Sequence, residues 1–138
     1  MVLGTDVVVA AMRSPTGASA AILRFMRLGE PVLLLSVPLA LEYEAVCQKA
    51  EHRLSAGLSE RQVDIFVTAV IAMAEAVETH FLWRPQLRDS NDEMVLEAAV
   101  NGRADVLVTF NVRDHGNAPS RFGVDLLLPR EAILRIRQ

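Results

Sequence analysis

Cysteine is almost absent from this chain. Cys47 is the only one in 138 residues, which excludes an internal disulfide and a thiolate-rich metal site. It falls in a predicted helix, where inert burial is the expectation. Long apolar runs are missing as well. The longest, such as Val32 to Val37, are strand-sized and far short of the roughly 18 residues that a membrane-crossing helix needs. Met1-Val2-Leu3 has no basic n-region and reads as a first strand rather than a signal peptide. The cytosol is the natural compartment for such a chain. There is no long basic run or tail, and the formal net charge is -3. That argues against broad capture of nucleic acid by the whole surface. It leaves open nucleic acid at a metal site, because bound divalent ions reverse the local field. Neither a P-loop nor a dinucleotide-binding glycine pattern occurs, and the His-x₃-His zinc spacing is absent. His52, His80 and His115 lack the serine or cysteine context of a catalytic triad.

What is present is a core. Composition is 51% hydrophobic and 22% charged, which excludes a disordered chain. No repeat, linker or low-complexity segment interrupts it, and one domain over residues 1–138 is expected. Val2-Leu3 begins a short strand. Val7 to Met12 is continuously apolar and either extends that strand or starts a helix. Ser14-Pro15-Thr16-Gly17 is a turn, Ala18 to Leu28 a helix, and Gly29 its terminator. Val32 to Ser36 has no polar alternation, as a strand covered on both faces requires. Pro38 suits the first turn of a helix running to about Ala50. Ser59 to Gln62 is a capping box opening a helix with Phe66, Val67, Val70, Ile71 and Ala74 inward. Ser90 to Glu93 is a second box, and Met94, Val95, Ala98 and Ala99 face the core behind it. Asp105 to Thr109 reads as a strand, Asn111 to Gly123 as a long polar loop, and Val124 to Leu128 as the last strand. Pro129 starts a terminal helix with Ile133 and Ile136 inward. Strands separated by helices predict a three-layer α/β/α sandwich around a mainly parallel sheet.

Acidic and amide side chains gather where strands end and helices begin: Asp6, Glu42, Asp89, Asp92, Asp105, Asn111 and Asp114. In a parallel sheet several of them converge on the C-terminal edge, where open α/β sheets place ligands. Hard oxygen ligands there imply Mg²⁺ or Mn²⁺. Each residue also has a plainer reading. Glu42 flanks the apolar stripe of Leu39, Tyr43 and Val46, and either snorkels outward, pairs with an arginine or binds a metal. Asp89 and Asp92 suit helix capping, although capping does not require three acids within five residues. Asp105 reads as a polar boundary residue. Thr109, Asn111 and Asp114 fit a turn or a ligand set equally well. Arg13, Arg24, Arg27, Arg84, Arg88, Arg103, Arg113 and Arg121 are candidates for a local basic patch.

These motifs, in this order, resemble a PIN domain of the short bacterial and archaeal kind found as the toxin of a toxin–antitoxin pair. Gly4-Thr5-Asp6 matches the opening Asp-Thr-Asn-like motif. Leu39 to Val46 matches the helical glutamate motif, Arg88 to Glu93 the third, and Ala104 to Asn111 with Asp114 the last. The resemblance implies a metal-dependent ribonuclease with Mg²⁺ or Mn²⁺ among Glu42, Asp92, Asp114 and Asp6. It gives Asn111 a place beside the water or phosphate, and Thr5, Asp89, Thr109 and Asp105 supporting places. It also implies an RNA substrate, a cognate antitoxin and a homodimer. Gly4 departs from the pattern, because the family has a metal-binding aspartate there. That departure implies a second reading, a degenerate member that binds RNA or protein with weak or no cleavage.

Overall fold

The computed structural model describes residues 1–79 and 90–138, with backbone alone at 90 and 91. β1 (Val2–Leu3) is buried on both faces and leads directly into α1 (Thr5–Arg13). Residues 7–12 are therefore helical. The β-branched run Val7-Val8-Val9 is held there because all three side chains enter the core, which outweighs its strand propensity. α2 (Ala18–Arg27) ends at Gly29, whose φ of 100° suits glycine and whose N–H donates to Met26 C=O. β2 (Leu34–Ser36) runs into α3 (Val37–Cys47), with the Ser36 hydroxyl accepting from Leu39 N–H at 3.3 Å.

The helix expected to reach Ala50 breaks at Gln48, and a separate α4 (Ala50–Ala56) follows. α5 (Glu60–Ala72) opens on the Ser59–Gln62 capping box, with both reciprocal hydrogen bonds formed. β3 (Glu75–Val77) was not expected from the sequence. Glu75 and Ala76 are exposed and carry no β-branched signal, so the strand owes its existence to pairing with β2. α6 (Ser90–Asn101) buries Val95, Ala98 and Ala99 as expected. The Ser90 side chain of its capping box, like His80, Arg84, Arg88 and Asp89, lies outside the described residues, while Glu93 is buried. β4 (Val106–Val108) follows. The stretch read as a loop after Asn111 holds two single-turn helices, α7 (Val112–His115) and α8 (Ala118–Arg121). β5 (Asp125–Leu127) and α9 (Pro129–Ile136) complete the chain, with Ala132 and Ile133 buried.

All strand pairs are parallel. β1 pairs with β4 (Val2 opposite Leu107), β4 with β5 and β2 with β3. A hydrogen bond from Leu34 N–H to Met1 C=O at 2.9 Å joins the two sheets. The spatial order is therefore β3-β2-β1-β4-β5, with helices packed around it in the expected α/β/α arrangement. From β1 the chain builds outward to β3 on one side, then returns to build β4 and β5 on the other. The order reverses between β1 and β4, and such a reversal opens a crevice at the carboxyl ends of those two strands. No helix among the described residues is long and apolar enough to cross a membrane.

Candidate metal centre at the strand-order reversal

The crevice is tied together by Asp6. Its Oδ2 accepts from the Thr109 hydroxyl at 3.0 Å and from Phe110 N–H at 2.8 Å, while Oδ1 accepts from Val7 N–H at 2.9 Å. The Thr109 hydroxyl in turn accepts from Asn111 N–H at 3.0 Å. One carboxylate thus joins the first turn of α1 to the end of β4. Across the same edge, Gly4 N–H donates to Val108 C=O at 2.8 Å. The buried Tyr43 hydroxyl donates to Leu3 C=O, which fixes the last residue of β1. Burial pushes that phenol far above its ordinary pKa, so it remains a donor.

Asp6 also explains how glycine is accommodated at position 4. A Cβ there would stand 2.5 Å from Asp6 Oδ1 and 3.3 Å from both Thr109 Oγ1 and Val108 O. The Asp6 carboxylate has folded back into the space that a side chain at position 4 would take.

A cleft of about 560 Å³ opens from this point, and Gly4, Thr5, Asp6, Glu42, Asp92 and Asn111 all line it. Glu42 reaches it from α3, whose buried stripe is Leu39, Tyr43 and Cys47. Val46, expected on that stripe, instead lines the cleft beside Glu42, because positions i and i+4 share a face. Asp92 reaches it from the first turn of α6 and is only 9% exposed. Thr109 is buried behind the cleft, holding Asp6 and Asn111. Thr5 Oγ1 is buried without a hydrogen-bond partner among the described residues.

Two expected members are placed elsewhere. Asp105 precedes β4 rather than following it, so the parallel sheet puts it at the opposite edge, exposed, beside Met1, Glu30 and Arg103. Asp114 is exposed on α7 and outside the lining of the cleft. The arginines do not form one patch either: Arg13 lines the cleft, Arg24 and Arg27 border a separate apolar groove, and Arg103 lies at the far edge.

Sequence reasoning missed His115, which is 1% exposed with Nε2 3.7 Å from Asp92 Oδ1. Neither ring nitrogen has a hydrogen-bond partner among the described residues. Burial holds its pKa below the ordinary histidine value, against the opposing pull of Asp6, Asp114 and Glu93. Only its position in an apparently polar loop was visible in the sequence. Glu93 and Glu97 are also buried on α6, a pairing that the i, i+4 spacing could have signalled. Cys47 is fully buried, which pushes its thiol up to about 11, consistent with an inert core residue.

Among the described residues, no three His, Cys, Asp or Glu side chains gather tightly enough to cage an ion. The donor chemistry of the cleft still fits one kind of metal. Mg²⁺ is commonly held by one or two carboxylates and retains several waters. Glu42, Asp92 and Asn111 line the same cleft, and two carboxylates with an amide are donors of the type that suits a hydrated Mg²⁺ or Mn²⁺. Asp6 already accepts three hydrogen bonds and adds negative field more readily than a direct bond.

A family model described as PIN domain matches residues 1–113, and the chain belongs to that family. No curated protein matches it, and no solved structure does. The family supports a nuclease type of function, and its members generally use divalent metals.

Proposed function

We propose that the chain is a Mg²⁺- or Mn²⁺-dependent endoribonuclease, the cytoplasmic toxin of a toxin–antitoxin pair, acting as one domain over residues 1–138. The observation that carries this reading is the convergence of Asp6, Glu42, Asp92 and Asn111 on one cleft at the strand-order reversal. Glu42 and Asp92 would hold the ion. When bound, a divalent ion supplies positive charge against the phosphodiester oxygens as they become more negative. In this reading Glu42 accepts the proton of an attacking water, whose oxygen bonds to phosphorus as the bond to the leaving ribose oxygen breaks and that oxygen takes a proton from solvent. The Asn111 amide donates to a phosphate oxygen. Asp6, through Thr109 and Phe110, keeps the Asn111 loop against α1. Asp114, exposed on α7 outside the cleft lining, is left out of this ligand set.

Calorimetric titration of Mn²⁺ into the wild type and Glu42→Ala, with RNA cleavage followed on the same samples, tests the proposal. Binding and cleavage that both disappear in Glu42→Ala are expected. Metal binding that survives in Glu42→Ala would overturn the assignment of Glu42.

The second reading, a member that binds RNA or protein without cutting, draws on Gly4 and the back-folded Asp6. It predicts no Mn²⁺ uptake and RNA binding that is unchanged by Glu42→Ala. For the antitoxin, we propose the apolar groove of α1, α2 and α5, where Met12, Leu23 and Phe66 lie beside Arg24 and Arg27. An apolar segment carrying acidic residues suits that lining. A homodimer is part of the same proposal, and light scattering of the purified chain checks it.

A further inference from the structure

The cleft has an acidic end and a basic end, and both of its helical walls run from one to the other. On α1 the lining residues are Asp6, Val9, Ala10 and Arg13, the i, i+3, i+4, i+7 series of a single helix face. On α3 and the turn beyond it they are Glu42, Val46 and Lys49. In each wall the base follows the acid by seven residues; on α1 that is roughly 10 Å along the helix axis, and Lys49 stands just beyond the end of α3. α1 and α3 pack against each other, and α4 closes the basic end by bringing in His52.

Arg13 is held in place there without being neutralised. Its guanidinium donates to His52 Nδ1 at 3.1 Å and to Ser55 Oγ at 2.8 Å, both uncharged acceptors when the imidazole is neutral. Most surface arginines sample many rotamers; this one is fixed by two bonds and has no carboxylate ion pair among the described residues. Lys49 also lines the basic end, and its side chain has no hydrogen bond or ion pair among the described residues. At the acidic end stands Phe110, an aromatic residue that is 51% exposed.

We propose that this trough is a docking track for single-stranded RNA, with Arg13, Lys49 and His52 holding a backbone phosphate remote from the acidic end. The inference rests on the nuclease reading for the identity of the acidic end, and extends it by assigning where the strand leaves the site. A stacked strand rises about 3.4 Å per nucleotide, so roughly three nucleotides span the gap between the two ends. Base stacking on Phe110 needs an unpaired base, which favours a single strand over a duplex. Without a metal the acidic end repels phosphate, and attraction comes from the basic end alone.

Fluorescence anisotropy with a 5′-labelled 12-nucleotide oligouridylate, in EDTA and over a series of salt concentrations, tests this directly. The proteins compared are wild type, Arg13→Ala, Lys49→Ala, Lys49→Glu and Glu42→Gln. Lys49 carries the test if Arg13→Ala disturbs folding through the loss of its bonds to α4. Arg13→Ala and Lys49→Ala are expected to weaken binding about five- to tenfold and to reduce the salt slope by about 0.7 each. Lys49→Glu weakens it further, and Glu42→Gln tightens it by removing a repelling charge. Wild-type affinity in both Lys49 variants, or no binding by the wild type, overturns the docking track. RNA cleavage accompanied by affinity indifferent to Arg13 and Lys49 sinks the track and leaves the nuclease reading intact. Binding that depends on Arg13 and Lys49, with no cleavage when Mn²⁺ is added, keeps the track and removes the nuclease reading.

Discussion

Asp6 and Asp105 are both aspartates beside strands of the same three-stranded sheet, yet they lie in opposite worlds. Asp6 follows β1, stands at the carboxyl edge, and accepts hydrogen bonds from Val7, Thr109 and Phe110. Asp105 precedes β4 and stands exposed at the amino edge, where its backbone carbonyl accepts from Asp125 N–H at 2.8 Å. In sequence the two read alike, as acids at strand boundaries. In a parallel sheet the direction of the strand decides which of them meets the helix N-termini and the crevice.

The sharpest way to break this comparison is to truncate both. Asp6→Ala leaves the Thr109 hydroxyl and Phe110 N–H without their acceptor, while Val7 N–H keeps the Gly4 carbonyl, and it is expected to cost about 2 kcal/mol. Asp105→Ala is expected to stay within about 0.5 kcal/mol, as exposed positions usually do. Chemical denaturation of the two variants measures the contrast, and similar losses would refute it.

Gly4→Asp probes the same edge from the other side. Its Cβ alone meets Asp6 Oδ1 at 2.5 Å, so the Asp6 carboxylate must swing aside, which strains its bonds to Thr109 and Phe110. A loss of about 1–3 kcal/mol is expected, as in other overpacked sites. Mn²⁺ affinity should rise clearly only in Gly4→Asp/Asp6→Ser, where the shorter residue 6 makes room. Equal affinity gains in the single and double variants would contradict the coupling of positions 4 and 6.

Smaller effects sharpen the picture. Tyr43→Phe removes the donor to Leu3 C=O and is expected to cost about 1–1.5 kcal/mol, with secondary structure unchanged by circular dichroism. His115 sits neutral in the fold because burial lowers its pKa beneath the ordinary 6.5. The unfolded chain then binds the proton first as pH falls, so this contribution is present above about 6.5 and is lost below it. His115→Phe should flatten that acid limb and, by removing two unpartnered ring nitrogens, change stability at pH 7 by about 1 kcal/mol or less. Thermal melts from pH 7.5 to 5 would show whether the two slopes differ.

The parts of the fold legible beforehand were those with a local physical cause. α2, α5, α6 and α9 announce themselves by apolar spacing, and Ser59 with Gln62 marks a helix start through two reciprocal hydrogen bonds. The exceptions had no local cause to read. β3 has two exposed residues of three and exists because β2 supplies its partners. α7 and α8 are single turns, too short for any periodicity to appear.

The same division runs through the site. The sequence by itself determined which chemistry is possible: carboxylates and an amide near strand ends, no thiolate or histidine cage, and a glycine at position 4 with no side chain to offer a ligand. Only the tertiary structure decided which of them meet. It brought Asp6, Glu42, Asp92 and Asn111 to one cleft, left Asp105 at the far edge and buried His115 beside Asp92. The reason is that side-chain type is a local property, whereas strand order and direction are set by burial of the whole core, and those choose the edge on which each residue stands.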